Sequence, residues 1–100
     1  MRRSAFLAEH AQLDIDEAES WYRARGGPHL SRRFVEAISA AIARIGEFPE
    51  GYPLVHGRLR QARVPRFPYV LLFVFESNSI VVQRCIHLRR DPERWRAHFD

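Results

Sequence analysis

Residues 58–95 read RLRQARVPRFPYVLLFVFESNSIVVQRCIHLRRDPERW, and the way this stretch is punctuated decides the fold. Arginines at 58, 60, 63 and 66 space a first run that meets no acidic residue until Glu76. Phe67-Pro68-Tyr69 leads into a solidly apolar run over 70–75, and a Ser-Asn-Ser turn separates it from a second β-rich run over 80–86. Short runs of β-branched and aromatic residues bounded by Pro, Asn and Ser are strand signals. Three strands are therefore expected near 58–64, 69–76 and 80–87, with connections short enough for an antiparallel meander. The stretch then passes through His87-Leu88-Arg89-Arg90-Asp91-Pro92, so two apolar strands carry basic residues at their ends. A rigid sheet presenting a cationic surface is the expected working face.

Upstream, the period changes. Residues 3–8 are mildly apolar and compatible with a strand. From about Glu9, Ala11, Ile15, Ala18 and Tyr22 step by 4, 3 and 4, the spacing of one helix face. The acids come early and Arg23 and Arg25 late, as the helix dipole favours, and Gly26-Gly27 ends the helix. Pro28 opens a second helix, in which Leu30, Phe34, Ile38, Ala41, Ile42 and Ile45 hold helical spacing until Phe48-Pro49 forbids continuation. A link this short makes an antiparallel helical hairpin. Residues 49–57 hold two Pro and two Gly and read as a loop, while Pro92 starts a short terminal turn or helix carrying Trp95 and Phe99. The order is β-α-α-β-β-β-α: an α+β fold in a single domain over 1–100, with the helical hairpin packed on a small antiparallel sheet.

All sixteen basic side chains that give the chain its formal charge of +4 are arginine. Residues 1–50 hold seven Arg against eight Asp and Glu (−1), and residues 51–100 hold nine Arg against four (+5), so the basic character belongs to the C-terminal half. Arginine offers a planar fork for phosphate or carboxylate, which suits nucleic acid or an acidic protein partner; a GC-rich genome gives the same bias. The lone cysteine, Cys85, has no intrachain partner, and no Cys/His cluster has zinc spacing. No cofactor, metal or membrane is expected, and Glu9 and His10 cut short the apolar run after Met1-Arg2-Arg3. A cytoplasmic protein is the expectation.

The chain resembles the RelE/ParE superfamily of bacterial toxins, particularly its ParE-like plasmid-stabilisation branch. The likeness is carried by Ala11 with Asp14, Ala18-x-x-Trp21-Tyr22, Phe34, the link Phe48-Pro49-Glu50-Gly51-Tyr52-Pro53, Arg60 with Phe67-Pro68-Tyr69, and His87-x-x-Arg90-x-Pro92-x-x-Trp95. The resemblance implies the toxin half of a type II toxin–antitoxin pair, silenced by a small ParD-like antitoxin usually encoded beside it. It implies two kinds of target: RelE-like members cut messenger RNA on the ribosome, whereas ParE members poison DNA gyrase. A third reading is an inactive nucleic-acid-binding module of the same fold.

RelE-like nucleases tend to place an arginine directly after the tyrosine that begins the third strand, and that position here is Val70. Trp95 stands where an aromatic is expected, but it stacks without offering a hydroxyl proton. A ribonuclease that drives the 2′-hydroxyl onto its own phosphate needs a proton acceptor, a proton donor and cations for the phosphorane. His87, Arg63 and Arg90 are the candidate catalytic set for that chemistry. Arg60, Arg66, Tyr69, Arg89 and Trp95 are the candidate target-binding residues. His87 also has a structural reading, since a histidine at a strand end often caps backbone groups.

Overall fold

The computed structural model describes residues 3–89. β1 (Ser4–Leu7) leads into α1 (Glu9–Glu47), a helical span interrupted at Gly27, whose φ of 76° and ψ of −174° are non-helical. That conformation is open only to glycine, and Gly26 is favoured for a different reason: a Cβ there would collide with the Leu30 side chain. The Tyr22 and Phe34 rings lie 5.1 Å apart. In an unbroken helix twelve residues would separate them by about 18 Å along the axis, so the interruption folds the span back on itself. The expected hairpin is present, with its two arms joined by Gly26-Gly27-Pro28.

Each arm lays the same stripe on the sheet: Ala11, Ile15, Ala18 and Tyr22 from the first, Phe34, Ile38, Ala41 and Ile45 from the second, all buried. After α1 a 3-10 turn at Pro49–Gly51 leads to β2 (Leu54–His56), β3 (Leu59–Arg63), β4 (Tyr69–Glu76) and β5 (Ser79–His87). The sheet order is β1-β5-β4-β3-β2. Alternation along β4 sends Tyr69, Leu71 and Phe73 to the helices and Val70 and Leu72 to the opposite face, where they meet Leu59 and Ile86.

Three features go beyond the expected meander. The segment read as a loop over 49–57 holds the 3-10 turn and the edge strand β2. The sheet is mixed, because β1 pairs parallel with β5 while the other ladders are antiparallel. Finally, β5 carries one extra residue: Leu72 is opposite Arg84 but Phe73 is opposite Val82, so Gln83 bulges out and the alternation inverts beyond it. The β4–β5 turn is two residues long, Ser77 and Asn78, both at positive φ as a type I′ hairpin requires. Arg3 ties the start of the chain to the end of α1, donating from Nη1 to the carbonyls of Gly46 at 3.0 Å and Glu47 at 3.2 Å. The expected terminal helix after Pro92, with Trp95 and Phe99, lies outside the described residues. Among the described residues no helix is long and apolar enough to cross a membrane.

Candidate functional site

Aromatics scattered along the sequence become one packed cluster in space. Tyr22 meets Phe67 at 5.1 Å, Phe34 meets Phe67 and Tyr69 at 5.3 Å each, and Tyr69 meets His87 edge-on at 5.0 Å. Tyr69 and His87 are direct partners in the β4–β5 ladder, which is why their rings touch. His87 Nδ1 accepts the backbone N–H of Arg89 at 3.1 Å, so the neutral ring carries its proton on Nε2. Tyr69 is 3 % exposed, and its ring is a wall of the core.

The sequence-predicted arginines do not share one face. β3 alternates, and since Ala62 points to the helices and Leu59 to the opposite side, Arg60 points to the helices and Arg63 away from them. Arg60 spends Nη1 on the carbonyl of Tyr52 at 2.7 Å and that of Glu50 at 3.4 Å, fastening the turn that precedes β2. Arg63 is exposed at the end of β3, opposite Val70. Arg66 is exposed in the β3–β4 loop with φ at 73°, and Arg89 is exposed beyond β5. Arg90 and Trp95 lie outside the described residues. The structure therefore brings together Tyr69, His87 and the backbone of Arg89, with Arg63 at the same end of the sheet but on its other face.

One pair escaped the sequence reading. Asp14 Oδ2 accepts Nε of Arg84 at 2.7 Å and the backbone N–H of Cys85 at 2.9 Å, while Oδ1 accepts Nη2 of Arg84 at 3.1 Å. The carboxylate clasps the bulge of β5 and so sets the direction of the strand end that carries His87. The signal was available: position 14 is three beyond Ala11 and four before Ala18, at the margin of the buried stripe, where a carboxylate needs a partner. Glu17, Tyr69 and His87 line a shallow cleft beside this clasp. Its volume of about 50 Å³ has room for one or two waters, not for a nucleobase. Among the described residues no three His, Cys, Asp or Glu side chains are grouped to hold a metal ion.

Burial pushes the Cys85 thiol up from 9.0 to about 12, with the Asp14 charge adding to the rise and Arg84 opposing it. The folded chain holds this proton more tightly than the unfolded one. Its contribution to stability is therefore fully present below about pH 9 and is lost as the pH climbs toward 12. Because only the thiolate is nucleophilic, alkylation of the native chain by iodoacetamide at pH 8 should run at least about a hundredfold slower than in urea. Equal rates would mean that the clasp and the strand beneath it open readily.

The family model for the ParE toxin of type II toxin–antitoxin systems (parDE) matches residues 6–92. The chain is similar in fold to a solved structure of the chromosomal ParDE system from P. aeruginosa: TM-score 0.76, 18 % identity, covering 86 % of this chain and 96 % of that one. It is also similar to the RelBE2 toxin–antitoxin complex from Mycobacterium tuberculosis: TM-score 0.62, 18 % identity, covering 87 % and 92 %. No curated protein matches the sequence. The family match takes in the end of β1, both arms of the hairpin, the clasp and strands β2 to β5, and on that ground the chain belongs to the ParE toxin family of type II toxin–antitoxin systems.

Proposed function

We propose that this ParE-type toxin arrests growth by binding an intracellular protein target, DNA gyrase being the expected one, and that a small cognate antitoxin neutralises it. Val70 carries the preference for binding over RNA cleavage. It follows the tyrosine that begins β4, where RelE-like nucleases tend to hold an arginine, and it is 1 % exposed among Leu59, Leu72 and Ile86. A phosphate-binding cation has no place in that apolar cluster without unpaired burial. Of the candidate catalytic set, His87 accepts the Arg89 amide, and Arg60, which could also hold phosphate, is engaged by the carbonyls of Glu50 and Tyr52. The exposed Arg63, Arg66 and Arg89 supply charge for docking.

The purified chain should inhibit supercoiling by DNA gyrase at near-stoichiometric amounts, and the small protein encoded beside its gene should reverse the effect. Untouched supercoiling together with codon-positioned cuts in ribosome-bound messenger RNA would replace this reading with the endoribonuclease one.

A further inference from the structure

The aromatic cluster of Tyr22, Phe34, Phe67, Tyr69 and His87 brings three stretches of chain to one end of the molecule: the tip of the helical hairpin, the β3–β4 loop and the end of β5. Each stretch carries exposed arginines. Arg23, Arg25, Arg32 and Arg33 flank the hairpin tip, Arg63 and Arg66 stand on either side of Val64 and Pro65, and Arg89 follows β5. Residues 17–36, 63–67 and 87–89 together hold seven Arg against three Glu, which is the chain's whole net charge of +4. The other residues hold nine Arg against nine Asp and Glu and sum to zero. The basic excess that the sequence assigns to its second half is thus, in space, the property of one pole. Of its seven arginines only Arg23 is in an ion pair among the described residues, with Glu19 at 3.0 Å. Arg25 is held in another way, its guanidinium lying 3.9 Å from the centre of the Trp21 ring.

We propose that this pole grips the phosphate backbone of double-stranded DNA. Its cations leave both faces of the sheet end: the hairpin lies on one face, and Arg63 points away from it. Arg63, Val70 and Ile86 stand side by side on three strands, so the sheet side of the pole is about 10 Å wide. An acidic helix carries its carboxylates along one line and meets only part of such a set. A duplex carries a charge every ~1.7 Å of axis, on two strands, and offers an acceptor to each guanidinium. The arginine fork matches phosphate oxygens, and contacts to phosphate carry no sequence information, so the grip is indifferent to base sequence. The inference goes beyond the protein-target reading above, because it gives the toxin a hold on DNA as well as on an enzyme, and it is tested with the enzyme absent.

The test follows binding of the purified full chain to a fluorescent 20-base-pair DNA duplex by anisotropy, at roughly 50 to 200 mM salt. The wild type should bind in the micromolar range, and log K against log salt should fall with a slope of about −4, as release from four or five phosphates requires. R32E/R63E reverses one arginine on each face of the pole and should bind about thirtyfold more weakly, with a flatter slope; R32K/R63K should stay within about threefold. R44E/R58E changes the net charge equally but elsewhere. Arg44 is ten residues of rise, about 15 Å, from Phe34, and Arg58 pairs with Glu76 beyond the other end of β3. Charges act over ~10 Å at 0.1 M salt, so this control should bind within about threefold of the wild type. All four positions are exposed, and circular dichroism should show each variant folded.

R32E/R63E binding within about threefold of the wild type, or R44E/R58E losing as much affinity, overturns the DNA contact. So does poly-glutamate that binds more tightly than the duplex and responds to the same substitutions, which would make the pole a site for an acidic protein. A wild-type chain that inhibits gyrase but has no affinity for the duplex at the lowest salt defeats the contact and leaves the protein-target reading standing. One that binds the duplex and leaves supercoiling untouched does the reverse.

Discussion

Phe34→Ala should cost the fold about 3–5 kcal/mol, measured as a fall in the urea midpoint with the slope of the transition unchanged. Phe34 is 0 % exposed, and its ring touches Tyr22 from the first arm, Phe67 from the β3–β4 loop and Tyr69 from β4. Its loss opens a cavity where three elements meet, and those elements cannot all collapse into it. Against a total of about 5–15 kcal/mol for a domain this size, the variant should be at the edge of folding at 37 °C. Phe34→Leu keeps most of the volume and should lose about 1–1.5 kcal/mol. A loss below 1 kcal/mol for the alanine variant would show that the helical hairpin is held to the sheet by something other than this cluster.

Asp14→Ala should destabilise by about 2–3 kcal/mol, because it leaves the Arg84 guanidinium and the Cys85 amide without their acceptor. The figure sits below that for a fully buried pair, since Asp14 and Arg84 side chains keep 20 % and 21 % of their exposure. Replacing both by leucine should restore part of the loss, because no charge is then stranded, and a double-mutant cycle should give a coupling well above that of a surface pair. The single variant should also shift the His87 ring resonances, as the clasped bulge aims the strand end that carries them. A cycle with no coupling, or an unmoved His87, would reduce the clasp to a surface ion pair.

The parts of the fold that sequence made legible are those governed by local period. The stripes Ala11-Ile15-Ala18-Tyr22 and Phe34-Ile38-Ala41-Ile45 and the break at Gly27 are all helix geometry written in residue order. The runs that became β4 and β5 are equally plain. The parallel pairing of β1 was not legible, because four mildly apolar residues do not say in which direction they will run beside a strand from the far end of the chain. β2 was hidden by the Pro and Gly around it, three residues being too few to outweigh turn signals.

The candidate site was less legible for the same physical reason. Spacing along β3 could not reveal that Arg60 and Arg63 leave the sheet on opposite faces until the register was known, nor that Gln83 would bulge and turn Arg84 and Cys85 toward Asp14. Most residues that carry the family likeness prove to be structural. Tyr22, Phe34, Phe67 and Tyr69 are packed against one another, and Asp14 clasps β5. That is why the likeness speaks firmly for the fold and only coarsely for the target.

On the proposed reading the toxin works by binding and does not need His87 as a proton carrier. The most direct measurement induces wild type and His87→Gln side by side at matched soluble levels, then maps messenger RNA ends and follows the DNA-damage response. Glutamine keeps a polar group that can accept the Arg89 amide, so both proteins should arrest growth, both should raise the damage response, and neither should produce codon-positioned cuts. Removing a general acid or base from a nuclease typically costs about 10²–10⁴-fold in rate. Rapid codon-positioned cleavage by the wild type that disappears in His87→Gln would show a nuclease instead.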